Sequence, residues 1–572
     1  MTASAPSNID SASADPARFE ILNTEHARVD PTHVASTVVV STSAAPVRAH
    51  RWKVFGASWA ILSLLSIMWA LATPISASPD EPAHIVKAAS VARGQFIGET
   101  TSLGQVVQVP RYIAYTHSET CFAFHSDVSA ACTTPLAGDP AEIIDAPTSA
   151  GLYNPVYYML IGWPTLFLGD DSGIYVMRAI SAILTSLFLA CTIAVAYGLR
   201  RNAIPLTALA VAVPPMLLFL GGSVNPNAVE ITATLAVFAA MLAIVTQPNP
   251  RLLTARAVVV MVGAAMAVNT RGLSPLWVAI AIVVPLLLLS WKQLWVLLQK
   301  RPVQWAVGVT VVATVFAVGW LLRTSSLTAM QDDPDYFQSF PGVGTGHLTG
   351  FVMTVRDTLG YAQGMIANFG WLDTPPPILV YFTWSAFVGM LLLVAFSILR
   401  GKALLVGGVL LAIFLFLPAL IQGAYITNGG IIWQGRYTLP LFVMLVFGLA
   451  VLVAERINLP DAGVLNRLTF AVWAAWAGAQ YLSFAAALKR YAVGVDGTWK
   501  NVIMNPEWSA PGGNLLWLVV FGLVLVGGAW AGWHISRAHV MVPESAPALP
   551  TPALSTPSQA ADATTAIPAT SR

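Results

Sequence analysis

The sequence predicts an all-α integral membrane protein of about twelve transmembrane helices, with a large first exterior loop that contains juxtamembrane helices. Three observations predict it. Of the 572 residues, 56% are hydrophobic and 10% charged, whereas soluble globular chains carry roughly 25% charged residues. The apolar residues gather in blocks such as 54–75 and 403–421, about the twenty residues that cross a hydrocarbon core of roughly 30 Å. The basic pairs Arg200/Arg201, Lys300/Arg301 and Arg400/Lys402 recur between blocks so that all three fall on one side, which the positive-inside rule makes the cytoplasmic side.

Spans are expected at 54–76, 174–198, 203–221, 228–246, 256–270, 273–291, 304–322, 377–399, 403–422, 437–454, 466–487 and 513–533. Arg48, Arg51 and Lys53 hold the start of the first span in the cytoplasm, and its length marks a retained helix and not a signal-peptide core. The apolar segment 153–168 is short and ends in the acidic turn Gly169-Asp170-Asp171. Counting it as a span would move every basic pair outside, so it is expected to lie in the interface. The spans at 256–270 and 273–291 are separated only by Thr270, Arg271 and Gly272, so they form either two helices or one broken element.

This topology puts both termini in the cytoplasm and two long loops, 77–173 and 323–376, outside. The transmembrane domain is 54–535. The flanking segments 1–53 and 536–572, rich in Ala, Ser, Thr and Pro, are expected to be disordered cytoplasmic tails. A net charge of +2 with dispersed Lys and Arg gives no nucleic-acid surface; the partners implied are membrane lipids. Cys121 and Cys132 share the first exterior loop, on an oxidising side, and are expected to form a disulfide.

The same loop opens with Ser78-Pro79-Asp80-Glu81-Pro82-Ala83-His84 and runs on to Gly94. This pattern predicts a short helix: Asp80 suits the N-cap, Pro82 the first turn and Gly94 the stop. Asp80 and His84, four apart, then share a face. Two carboxylates and an imidazole at a membrane surface suit general-base work or metal binding, and equally a capped helix with solvated acids.

The Asp80-Glu81 pair with His84 resembles the acidic first-loop motif of glycosyltransferases of the C superfamily (GT-C). More closely, this run and Gln434-Gly435-Arg436-Tyr437-Thr438-Leu439-Pro440 resemble the bacterial membrane family catalogued as domain of unknown function 2142, over most of the chain between about 55 and 535. The superfamily resemblance implies an enzyme of the plasma (inner) membrane that moves a sugar from a polyprenyl-phosphate donor to a lipid, glycan or protein acceptor outside. There the first-loop acid acts as base or binds a divalent metal ion; Asp80 and Glu81 are the candidates for either role, with His84 supporting. No cofactor is otherwise implied.

Arg436, in its Trp433–Tyr437 setting, is the first candidate for the donor phosphate, because a planar guanidinium matches phosphate oxygens in pairs. Arg178 is the second and Arg271 the third. Gln434 and Tyr437 flank Arg436. Tyr153, Tyr157 and Tyr158 either line a sugar or prenyl site or form an aromatic belt. The acids Asp332, Asp333 and Asp335 read as a solvated loop. Two rival functions remain, a transporter or flippase of lipid-linked saccharides and a noncatalytic envelope-assembly protein. Spans almost free of charge at their centres count against the transporter.

Overall fold

The computed structural model describes residues 44–101, 104–325, 341–457 and 462–537. Met1–Pro46 form one unit, nearly all of it outside those residues, and Val47–Arg572 form the other. Asp332, Asp333, Asp335 and most of the two expected tails also fall outside the described residues. The helices are α1 (Ala44–Leu71), α2 (Glu81–Ala92), α3 (Arg111–Ala114), α4 (Val156–Ile161), α5 (Asp171–Tyr197), α6 (Ala203–Ala212), α7 (Pro215–Gly221), α8 (Pro226–Thr246), α9 (Pro250–Ala267), α10 (Ser274–Leu286), α11 (Trp291–Leu298), α12 (Arg301–Thr324), α13 (His347–Arg356), α14 (Thr358–Ile366), α15 (Ile378–Ile398), α16 (Gly401–Gly429), α17 (Leu439–Ala454), α18 (Ala462–Val493), α19 (Trp499–Met504) and α20 (Asn514–Ser536).

Among the described residues, nine helices are long and apolar enough to cross a bilayer, or up to eleven when the bent pairs α6–α7 and α10–α11 each count as one span. The chain is a polytopic helical membrane protein. The remaining expected span, 466–487, lies within α18, which carries Arg467, Gln480, Lys489 and Arg490 and is not among the nine. The expected 256–270 and 273–291 are two helices, α9 and α10, with Arg271 in the turn between them.

The expected span 203–221 breaks at Pro214, which has no N–H to donate, and turns by 68°. Inside a bilayer the carbonyls freed by such a break need new donors. Trp476 Nε1 and Gln480 Nε2 both donate to the Val213 carbonyl, and Trp384 Nε1 donates to that of Val211. The expected 273–291 also stops early, at Leu286, and turns by 120° into α11. A Ser290/Gln293 capping box starts α11, and Lys402 Nζ caps the Leu288 and Leu289 carbonyls.

The core sits around α8 and α17, the most completely buried spans. Helices this apolar on every side must be enclosed by protein or lipid; α5, α9, α10 and α17 enclose α8. Gly263 of α9 shows how closely: a Cβ there would lie 3.2 Å from the Ala233 carbonyl oxygen, the small-residue contact that lets membrane helices approach. By contrast α12 and α15 leave most of their surface uncovered by protein.

The first long loop carries a small sheet beside the juxtamembrane helices expected of it. It folds β1 (Glu99–Thr101), β2 (Gly104–Pro110) and β3 (Ile143–Thr148) into an antiparallel sheet in the order β1-β2-β3. The register pairs Val107 with Ala146 and Val109 with Ile144. The alternation puts Val107 and Val109 inward, beside α2. Cys121 and Cys132 form a disulfide. Segment 153–168 is α4 followed by a 3-10 turn, Trp163–Leu166. It buries Tyr157, Tyr158 and Ile161 and leaves Met159, Leu160, Trp163 and Phe167 exposed, the two-faced pattern of an interfacial segment.

Candidate functional site

Asp80 and Glu81 are neighbours in sequence and part company in space. The expected N-cap does not form: Asp80 adopts a left-handed backbone with φ 65° and makes no side-chain capping bond. Left-handed geometry is uncommon outside glycine, and Asp is one of the few residues that tolerates it. Its carboxylate points instead at Arg436, whose Nη2 donates to Oδ2 at 2.5 Å. The Asp80 side chain stays 44% exposed, while that of Arg436 is 1% exposed.

Arg436 enters from the 3-10 turn Gly435–Thr438 at the head of α17. The turn is set by Gly435, where a Cβ would fall 2.2 Å from the Tyr361 carbonyl oxygen of α14, so no larger residue fits. Two polar atoms of this motif, Arg436 Nε and Gln434 Oε1, are buried with no hydrogen-bond partner among the described residues. Buried polar atoms are nearly always hydrogen-bonded, so two orphans in one motif are unusual.

Arg271 reaches the same place from the turn between α9 and α10. Its guanidinium carbon lies 4.4 Å from the centre of the Tyr437 ring, and that of Arg436 lies 5.2 Å from it. The Tyr153 and Tyr437 side chains lie close enough to Arg271 to interact with its charge. Among the described residues no carboxylate lies within salt-bridge distance of Arg271, which is only partly buried. Behind it the buried Glu230 of α8 accepts from Ser274 Oγ at 2.5 Å and Asn227 Nδ2 at 2.9 Å.

His84, one turn after Asp80, shares a hydrogen bond of 2.8 Å with the Tyr158 hydroxyl through Nδ1. Burial pushes its imidazole down to about 3 from 6.5, with the two arginines adding to the effect against the pull of Asp80. It is therefore neutral at pH 7. Burial also opposes the charge on Asp80, but neighbouring cations, Arg436 foremost, outweigh it and hold the carboxyl below its usual range.

The sequence reading grouped Glu81 and Arg178 with Asp80, and here the structure differs. Glu81 takes Arg178 Nε and Nη2 at 2.7 Å each, together with the Val224 amide at 2.9 Å. The remaining Arg178 hydrogens go to the carbonyls of Ala70, Thr73 and Pro74. A guanidinium has five N–H donors, and these contacts use all of them. Both side chains are sealed, at 1% exposure or less. Tyr157 likewise turns away, to Ser181 Oγ. The carboxylates of Asp80 and Glu81 thus go to different arginines, and among the described residues no three of His, Cys, Asp and Glu gather as a metal set. A divalent ion does not fit beside Asp80, because its neighbours are two guanidiniums.

The family profile described as "Predicted membrane protein (DUF2142)" matches residues 63–445, more than half of the chain. The chain belongs to that family. No curated protein matches the sequence. Among solved structures, ArnT from Cupriavidus metallidurans bound to undecaprenyl phosphate is similar over 84% of this chain and 77% of its own, at 15% identity and a TM-score of 0.41. The apo state of the same protein matches over 86% and 78%, at 15% identity and a TM-score of 0.39. Backbones that agree this loosely do not transfer a site.

Sequence ranks Arg178 above Arg271; in the structure Arg178 has a full set of partners, whereas Arg271 has no carboxylate partner among the described residues. Glu230 was missed altogether, although a carboxylate inside an apolar block is the standard signal for an intramembrane polar site.

Proposed function

We propose that this member of the family is a membrane glycosyltransferase that moves a sugar from a polyprenyl-phosphate donor to an acceptor hydroxyl on the exterior side. One observation carries the reading: an exposed carboxylate, Asp80, stands beside two guanidiniums, Arg436 and Arg271, the second of which has no carboxylate partner among the described residues. Arg271 and Arg436 hold the donor phosphate through charge-assisted bonds. The phosphate competes with Asp80 for Arg436 Nη2, and a carboxylate released from its cation becomes the stronger base. Asp80 then takes the acceptor hydroxyl proton as that oxygen attacks the anomeric carbon. The bond between that carbon and the phosphate oxygen breaks, and polyprenyl phosphate leaves with the electron pair.

Neutral His84 and Tyr153, whose ring centres lie 5.7 Å apart, are the groups near Asp80 that suit sugar hydroxyls. Glu81 and Arg178 act as a brace that fixes the start of α2 against α1 and α5. The Cys121–Cys132 disulfide supports an oxidising, exterior setting for the loop, and with it cytoplasmic termini in a plasma membrane. Incubating purified protein with a panel of polyprenyl-phosphate sugars tests the proposal. Release of polyprenyl phosphate from at least one donor, dependent on an added acceptor, is expected; intact donors throughout, under conditions where the protein stays folded, would refute it.

A further inference from the structure

Far from Asp80, at the opposite end of α1, a cavity of ≈ 260 Å³ opens between α1, α5, α6, α18 and α20. Its wall is apolar almost throughout and includes the small residues Ala57, Gly528 and Ala531. Lys53 stands at one end and Leu65 at the other, a length of helix that rises about 18 Å. One leaflet of hydrocarbon is about 15 Å deep. Lys53 and Ala57 are exposed, so the cavity is reached from the bilayer side.

We propose that this crevice holds one acyl chain of an anionic phospholipid from the leaflet at the Lys53 end, with the lipid phosphate against Lys53. Its depth matches a chain confined to one leaflet, and a polyprenyl chain several times longer would overrun it. The charge of the rim selects the headgroup. Among the described residues Lys53 has no ion-pair partner. A phosphate compensates such a lone cation, whereas a zwitterionic headgroup brings its own.

The site is independent of the proposed transferase reaction, and its test needs no activity. Full-length protein in detergent is mixed separately with phosphatidylglycerol, phosphatidylcholine and polyprenyl phosphate, and retained lipid is read by native mass spectrometry. One phosphatidylglycerol should be retained per chain, about fivefold more strongly than phosphatidylcholine, as one Lys near a lipid surface allows. Lys53→Gln, a change at an exposed position that leaves folding intact, should erase the headgroup preference. Ala531→Phe should abolish retention by filling the crevice. Equal retention of the two phospholipids by wild type, a preference for polyprenyl phosphate, or a preference for phosphatidylglycerol that survives Lys53→Gln would overturn the proposal.

Discussion

Two carboxylate–arginine pairs start from adjacent residues of one loop and end in opposite states. Glu81 with Arg178 is sealed, and every guanidinium hydrogen is occupied. Asp80 with Arg436 is open on the carboxylate side, leaves Nε without a partner among the described residues and has a second guanidinium close by. Consecutive helical residues point about 100° apart, and the left-handed turn at Asp80 widens the divergence. A saturated ion pair is a structural joint. An unsaturated one, exposed to an approaching ligand, can exchange partners.

The largest expected effect lies on the sealed pair. Arg178→Ala strands a buried Glu81 charge and should cost about 3–5 kcal/mol, a large share of the 5–15 kcal/mol that typically separates folded from unfolded protein. Thermal unfolding in detergent should show a strong loss, or the protein should fail to insert. A stable Arg178→Ala protein that had lost only donor binding would erase the contrast and return Arg178 to the ligand.

On the open pair, stability should hold and ligand use should suffer. Arg271→Ala removes charge-assisted bonds worth about 1.5–3 kcal/mol each, so donor affinity should fall at least tenfold, with the unfolding temperature nearly unchanged. Arg436→Lys keeps the charge and loses the paired geometry; it should weaken donor use less than Arg271→Ala does. Titrating lipid donor against both variants orders them, and wild-type affinity in either would remove that arginine from the phosphate.

A further effect concerns pH. The unfolded chain takes a proton on His84 below about 6.5, whereas burial keeps the folded residue neutral down to about 3. The folded state therefore loses stability as pH falls from 6.5 toward 3. The unfolding temperature should drop over this range, and less steeply in His84→Gln. An equally steep slope in that variant would assign the acid sensitivity to other groups.

Composition and the apolar blocks were enough to read the membrane class and most of the spans, and the local pattern of Pro82 and Gly94 was enough to read the helix from Glu81 to Ala92. The breaks at Pro214 and after Leu286 were not legible, because the donors that make them tolerable, Trp476, Gln480 and Lys402, come from distant segments. Hydropathy could not show the sheet either, since its strands are short and lie in a polar loop. The motifs at Asp80 and Arg436 stood out as candidates. The partition between Glu81–Arg178 and Asp80–Arg436 depends on pairings across 97 and 356 residues of chain, which local spacing does not encode.

The central claim is that Asp80, and not Glu81, deprotonates the acceptor. Asp80→Asn and Glu81→Gln are compared for transfer at saturating donor, each normalised to folded, membrane-inserted protein. Asp80→Asn preserves size and removes the base, so folded protein with transfer lowered by a factor on the order of 10² or more is predicted, while Glu81→Gln should lose folded protein and keep its turnover per folded molecule. Near-normal transfer by Asp80→Asn together with its abolition in well-folded Glu81→Gln would contradict the account.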